Sequence, residues 1–205
     1  DTVLRMIKAK SKRKGMMAAK FMVEMVKIDL LGVQEFVPKN KVFLESMGNN
    51  YKGHVATTYQ YSASCVCFVN TQTMGNFTGL DITIDITTNG VRSVAGVYLR
   101  TFNIVFLSIW LGHDTTMTKK QYLESINKSL INALIEKKIN YKNSRVIAAM
   151  DANEHTTYIT PEFNLLNKTL YNTVSDPLKS CCEDNKWTLG GDYIFDTRLP
   201  ITPTT

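Results

Sequence analysis

Between Ile104 and Met150 the chain reads as strand, helix, strand, and this unit restricts the possible folds more than any other stretch. "FNIVFLSIWLGHD" is nearly continuous in apolar residues, the pattern of a strand buried on both faces and central in its sheet. Thr118 followed by Gln121 forms a capping-box pattern. It opens a helix with Leu123, Ile126, Leu130 and Leu134 on one stripe and Lys137 and Lys138 near the C-terminal end, where the helix dipole favours cations. The helix crosses to a second apolar strand, "RVIAAM" (Arg145 to Met150), which runs without a turn signal into Asp151, Asn153, Glu154 and His155. Polar groups at the end of a buried strand have a functional logic, because loops leaving strand ends form a crevice on a rigid scaffold.

The remaining segments fit a sheet-rich neighbourhood. Met17, Phe21, Met25 and Ile28 recur at helical spacing, predicting a helix over Gly15–Asp29, and "LLGVQEF" after it reads as a strand. "ASCVCFVN" is rich in strand-forming residues. "DITIDITTNG" alternates Ile82, Ile84 and Ile86 with Thr83, Asp85 and Thr87 before an Asn-Gly turn, predicting a half-buried antiparallel strand and hairpin. "VRSVAGVYLR" is the return strand, a short helix is expected around Pro161 to Leu170, and "GGDYIFDT" supplies a last short strand. The expected class is α/β, a layered α/β sandwich with mixed, largely antiparallel sheets, in a single domain over residues 1–205.

No apolar run approaches the roughly 20 residues that span a bilayer, the longest being Ile104 to Gly112. The four cysteines, Cys65, Cys67, Cys181 and Cys182, have neither zinc-knuckle nor thioredoxin-type spacing, so a reduced, intracellular setting (cytoplasmic or nuclear) is expected. Asn76, Asn127 and Asn167 open Asn-x-Ser/Thr triplets, but Asn127 falls within the helical stretch and such triplets often occur by chance. The net charge of +6 suits a polyanionic partner such as nucleic acid or a phosphorylated ligand. Much of it lies in "KAKSKRK", Lys8 to Lys14; residues 1–14 are expected to form a basic, solvated and mobile segment, the alternatives being a phosphate-contacting run or a targeting signal.

Five polar positions fall near strand ends: Glu35, Arg92, Trp110 to His113, Asp151 to Asn153, and Asp192. Singly, each reads as a capped turn or a solvated loop. In order, they resemble the endonuclease/exonuclease/phosphatase superfamily, which includes deoxyribonuclease I. "KIDLLGVQEF" is similar to its helix-to-strand segment ending in Gln-Glu, "NGVRSVAGVYL" to the strand after an Arg, "IVFLSIWLGHD" to a strand ending near a catalytic His, "AAMDANE" to Gly-Asp-x-Asn, and "GGDYIF" to a late Asp-Tyr-Ile strand. The resemblance implies a deoxyribonuclease I-like fold and a divalent-metal-dependent phosphodiester hydrolase using Mg2+ or Mn2+. Nucleic acid is the expected substrate; the alternatives are a phosphoinositide or other small phosphoester, or a catalytically silent binding module.

The resemblance also assigns roles. Glu35 becomes the metal ligand, since a hard cation held by carboxylates neutralises an anionic phosphodiester. Asp151 orients or deprotonates the attacking water, Asn153 binds a phosphate oxygen without adding repulsion, Arg92 binds substrate, and Asp192 completes the catalytic group. Trp110 occupies the position where many relatives have a catalytic His, and His113 is the candidate replacement. Met150 stands where the family has Gly. Neither the family's first strand with its Asn ligand before Gly15 nor its terminal Ser-Asp-His is recognisable, so the chain is expected to be incomplete at both ends.

Overall fold

Buried strands assemble only where other elements cover both their faces, and the apolar strand-helix-strand unit obtains this cover from a second sheet and from its own helix. The computed structural model describes residues 5–8, 27–36, 48–56, 64–84, 93–111, 118–152, 162–173, 181–183, 186–188 and 192–198. The strands are β1 (Arg5–Lys8), β2 (Leu30–Phe36), β3 (Tyr51–Val55), β4 (Ser64–Asn70), β5 (Phe77–Leu80), β6 (Ser93–Leu99), β7 (Ile104–Trp110), β8 (Arg145–Asp151), β9 (Glu162–Leu165), β10 (Lys168–Asn172), β11 (Cys181–Glu183), β12 (Lys186–Thr188) and β13 (Asp192–Asp196). A one-turn helix, α1 (Thr71–Met74), follows β4, and α2 (Lys119–Glu136) links β7 to β8. One sheet has the order β1-β2-β4-β3, a second has the order β5-β6-β7-β8-β13-β10-β9, and β11 pairs with β12.

The two large sheets pack face to face, β4 against β6 and β7, and β2 against β7 and β8. Cys65, Cys67, Val69, Ala95, Val97, Phe106, Ile147 and Ala149 fill the gap between them. On its other face the seven-stranded sheet carries α2, whose Tyr122, Ile126, Leu130, Ala133 and Leu134 bury against Val105, Leu107, Ile109, Val146, Ala148 and Met150. Each buried aliphatic side chain there contributes about 1.5–3 kcal/mol. The capping box forms as expected, Thr118 accepting from the Gln121 N–H and Gln121 accepting from the Thr118 N–H. The α2 crossover makes β8 parallel to β7, and both are interior strands. This is the expected layered α/β sandwich with mixed sheets, and no described helix is long and apolar enough to cross a membrane.

Three local expectations change. Asp81 to Ile84 does not join a sheet: Ile82 and Ile84 are buried and Asp81 and Thr83 exposed, but the Thr83 N–H donates to Ser129 Oγ of α2 at 2.8 Å. The alternation therefore seats the segment against the helix and not in a ladder. The Asn-Gly turn after it lies outside the described residues. The helix expected around Pro161 to Leu170 is instead the hairpin of β9 and β10, joined by Leu166 and Asn167. Both have positive φ, 54° and 57°, as a type I′ turn requires. Leucine is an unusual residue there; its burial and the bond from its N–H to Asn127 Oδ1, 2.8 Å, offset the strain, and that bond gives Asn127 a structural use. Finally, a strand does precede Gly15: β1 pairs in parallel with β2 within the basic N-terminal segment. Four residues are too few to show a period. Of the helix expected over Gly15–Asp29, only Lys27 to Asp29 are described, and they are not helical.

Where β2 crosses β8 and β7 the sheets approach too closely for a side chain. A Cβ on Gly32 of β2 would lie 2.8 Å from the Ala149 Cβ of β8 and 3.3 Å from that of Ser108 on β7. Gly32→Ala is therefore expected to cost about 1–3 kcal/mol of overpacking. In urea titrations, Ala149→Gly added to Gly32→Ala should recover much of the loss; additive losses would mean that this contact does not set the sheet separation.

Candidate active site

Strand register brings four sequence-distant positions into one row. Ser93 is the partner of Trp110 across β6 and β7, Trp110 of Asp151 across β7 and β8, and Asp151 of Asp192 across β8 and β13. With strands about 4.8 Å apart, the row spans roughly 14–15 Å. The chain enters β6 and β13 and leaves β7 and β8 along this edge, and the Leu111 N–H closes it by donating to the Asp151 carbonyl at 2.9 Å.

Asp151 is fully buried. Removing a carboxylate from water costs several kcal/mol before its interactions are counted, so its place at a strand end is a commitment of the fold to that group. Trp110 packs partly buried against the cluster between the sheets, and its Nε1–H is buried with no hydrogen-bond partner.

The second sheet reaches the same region through β2. Its register with β4 shifts between Val33 and Phe36, the mark of a bulge, so Gln34 and Glu35 sit where the ladder is interrupted. Gln34 is fully buried. Its Nε2 donates to Ser108 Oγ at 2.9 Å and to the Ala149 carbonyl at 3.3 Å, while Ser108 Oγ donates back to the Val33 carbonyl at 3.1 Å. The Gln34 Oε1 is buried and has no partner. The two bonds contribute about 1 kcal/mol each, and the orphaned oxygen costs about 1–3 kcal/mol, so the side chain adds little net stability.

Of the residues singled out in the sequence, Asp151 and Asp192 are brought together as register partners, and Glu35 lies in β2 next to Gln34. Arg92, His113 and Asn153 lie outside the described residues, adjoining Ser93, following Leu111 by two positions, and adjoining Ala152. Among the described residues no group of three or more His, Cys, Asp or Glu could hold a metal ion. A carboxylate such as that of Asp151 is nonetheless a hard oxygen donor, the kind that Mg2+ and Mn2+ take. Sequence reading missed the Gln34 and Ser108 pair. A partial signal was present: Gln34 follows the apolar run of "LLGVQEF", and Ser108 is a lone polar residue in "IVFLSIW".

The cysteines of β4 stand apart from the row. Cys65 and Cys67 are thiols outside any disulfide, buried between the sheets, and Cys67 Sγ bonds the Ala95 carbonyl at 3.3 Å. Burial, with Cys65 nearby, pushes the Cys67 thiol well above its ordinary range despite a backbone hydrogen bond from Ser108 that lowers it, so it packs as a small apolar group.

No family model and no curated protein sequence matches the chain. Solved structures do. An endonuclease/exonuclease/phosphatase family protein from Leptotrichia buccalis C-1013-b superposes with a TM-score of 0.58 at 12% identity, over 95% of this chain and 87% of that one. The human Nocturnin catalytic domain with bound sulfate anion gives 0.56 at 16% identity, over 91% and 74%. D. rerio TDP2 complexed with single strand DNA product gives 0.54 at 14% identity, over 98% and 87%. At these identities the likeness is one of fold, and that fold is the deoxyribonuclease I-like fold of the endonuclease/exonuclease/phosphatase superfamily.

Proposed function

We propose that the chain is a divalent-metal-dependent phosphodiester hydrolase acting on nucleic acid. The observation that carries this reading is the row in which buried Asp151 stands between Trp110 and Asp192, beside the end of the strand that holds Glu35. In this reading Glu35 holds Mg2+ or Mn2+, which when bound neutralises the phosphodiester and stabilises the leaving oxygen. Asp151 accepts the proton of the attacking water, and Asp192 on the adjoining strand helps to orient it. Asn153 donates its amide to a phosphate oxygen, Arg92 neutralises the substrate's charge, and His113 supplies the proton to the leaving group. Nucleic acid is favoured by the net charge of +6 and by the single strand DNA product bound to a protein of this fold.

One observation favours a second reading, a binding module without catalysis. The residue in register with Asp151 is Trp110, and an indole neither gives nor takes a proton near neutral pH.

One panel separates the two. Labelled DNA, RNA and inositol phosphates incubated with Mg2+, Mn2+ or EDTA should release product only with the metal; equal release in EDTA excludes the mechanism, and binding without release favours the module. Asp151→Asn should lower turnover by about 10²–10⁴ with substrate affinity nearly unchanged, the usual worth of a positioned general base. Glu35→Gln should weaken the metal dependence, and a variant with an unaltered Mg2+ titration would move that role elsewhere.

Cations that neutralise phosphates release counterions, so nucleic-acid affinity should fall with salt. Replacing Lys10, Lys12, Arg13 and Lys14 by Ala should reduce the slope of log K against log salt by about 0.7–0.9 for each phosphate left without its cation. An unchanged slope would assign the basic run to solvent.

A further inference from the structure

Among the described residues, Glu35 falls where the pairing of β2 with its neighbours is interrupted. The register of β2 with β1 ends at Lys8 and Gln34, and its register with β4 passes from Val33 to Phe36. Among the described residues neither register includes position 35. The side chain of the preceding residue reaches the opposite sheet: Gln34 Nε2 bonds Ser108 Oγ of β7 and the Ala149 carbonyl of β8.

Those two contacts are well placed. Ser108 is two residues before Trp110 and Ala149 two before Asp151, so each lies one same-face step, about 6.6–7 Å, behind the row. The bond from Ser108 Oγ to the Val33 carbonyl returns to β2 and closes the link. The absent Cβ of Gly32 lets the two sheets approach here closely enough for one amide to bridge them.

We propose that Gln34 is a positioning residue: its buried amide ties β2 to β7 and β8 and so sets where Glu35 stands relative to Asp151. This rests on the metal-dependent reading of the site. The unpartnered Oε1 supports it. An apolar side chain of the same length would give up two bonds but would also remove the orphaned Oε1, and the two effects roughly offset, so fold stability alone does not call for glutamine. The cross-sheet geometry does, because only a side chain with donors can be held by both Ser108 and Ala149.

The test compares Gln34→Met, Ser108→Ala and their double variant in the full chain, by Mn2+ titration monitored with electron paramagnetic resonance, thermal melting and metal-dependent hydrolysis. Gln34→Met should keep a melting temperature within a few degrees of the parent and weaken Mn2+ binding about tenfold, the usual effect of removing a group that orients a ligand. Ser108→Ala should shift binding in the same direction, and the double variant should be no worse than Gln34→Met, since both changes break one link. Val69→Ala, a packing change in the same gap, should lower the melting temperature and leave Mn2+ binding alone. Wild-type Mn2+ affinity in Gln34→Met overturns the positioning role, as does equal weakening by Val69→Ala. If Gln34→Met fails to fold, Ser108→Ala decides by the same readouts. Hydrolysis in the parent that Gln34→Met retains in full rejects the positioning role alone, whereas a parent that neither binds Mn2+ nor hydrolyses rejects the functional reading and this inference together.

Discussion

The face-to-face packing of the two sheets is the constraint on which the rest of this structure depends. β2 and β8 belong to different sheets, and they meet only because the gap between them is closed by small and aliphatic residues, most tightly where Gly32 faces Ala149. A packed interior transmits a misfit of a single methyl group, because it has no free volume to absorb one. The distance between the end of β2 and the end of β8 is thus a property of core packing. Any chemistry that needs groups from both strands inherits its geometry from apolar residues far from the reacting atoms.

Register within the seven-stranded sheet does the rest. Trp110, Asp151 and Asp192 are spread over more than eighty positions of sequence, yet hydrogen-bond pairing aligns them in one row. The parallel step from β7 to β8 depends on α2, which carries the chain back across the sheet and buries its apolar stripe there. A one-residue slip in that pairing would move Asp151 to the opposite face, where the helix core lies. The other end of β8 is held by a different device: Arg145 pairs with the largely buried Asp196, its Nε 3.0 Å from both carboxylate oxygens. That ion pair and the polar row bracket the same two strands, β8 and β13, and oppose slippage of one past the other.

Much of this was legible in the chain. Long apolar strands, the capped amphipathic helix and the strand-end polar residues follow from periodicity and local chemistry, and β2, β4, β6, β7, β8, β13 and α2 formed where those signals stood. The failures share a cause. Asp81 to Ile84 has a strand's alternation but found its buried surface against a helix, and Pro161 to Leu170 has enough leucines for a helix but turns at Leu166 and Asn167 because tertiary burial outweighs their backbone strain. β1 was missed because a four-residue strand has almost no pattern of its own and exists through its partner.

By itself the sequence determined the layered α/β class, the buried strand running into Asp151, and the polar residues at strand ends, because these depend on side-chain hydrophobicity and spacing along one segment. Only the tertiary structure decided that Asp192 lies beside Asp151, that Trp110 completes their row, and that Gln34 reaches across to Ser108 and Ala149. Those facts depend on strand register and sheet separation, which are settled by contacts between residues tens of positions apart; a local window can show a polar residue in an apolar strand but not the partner it meets.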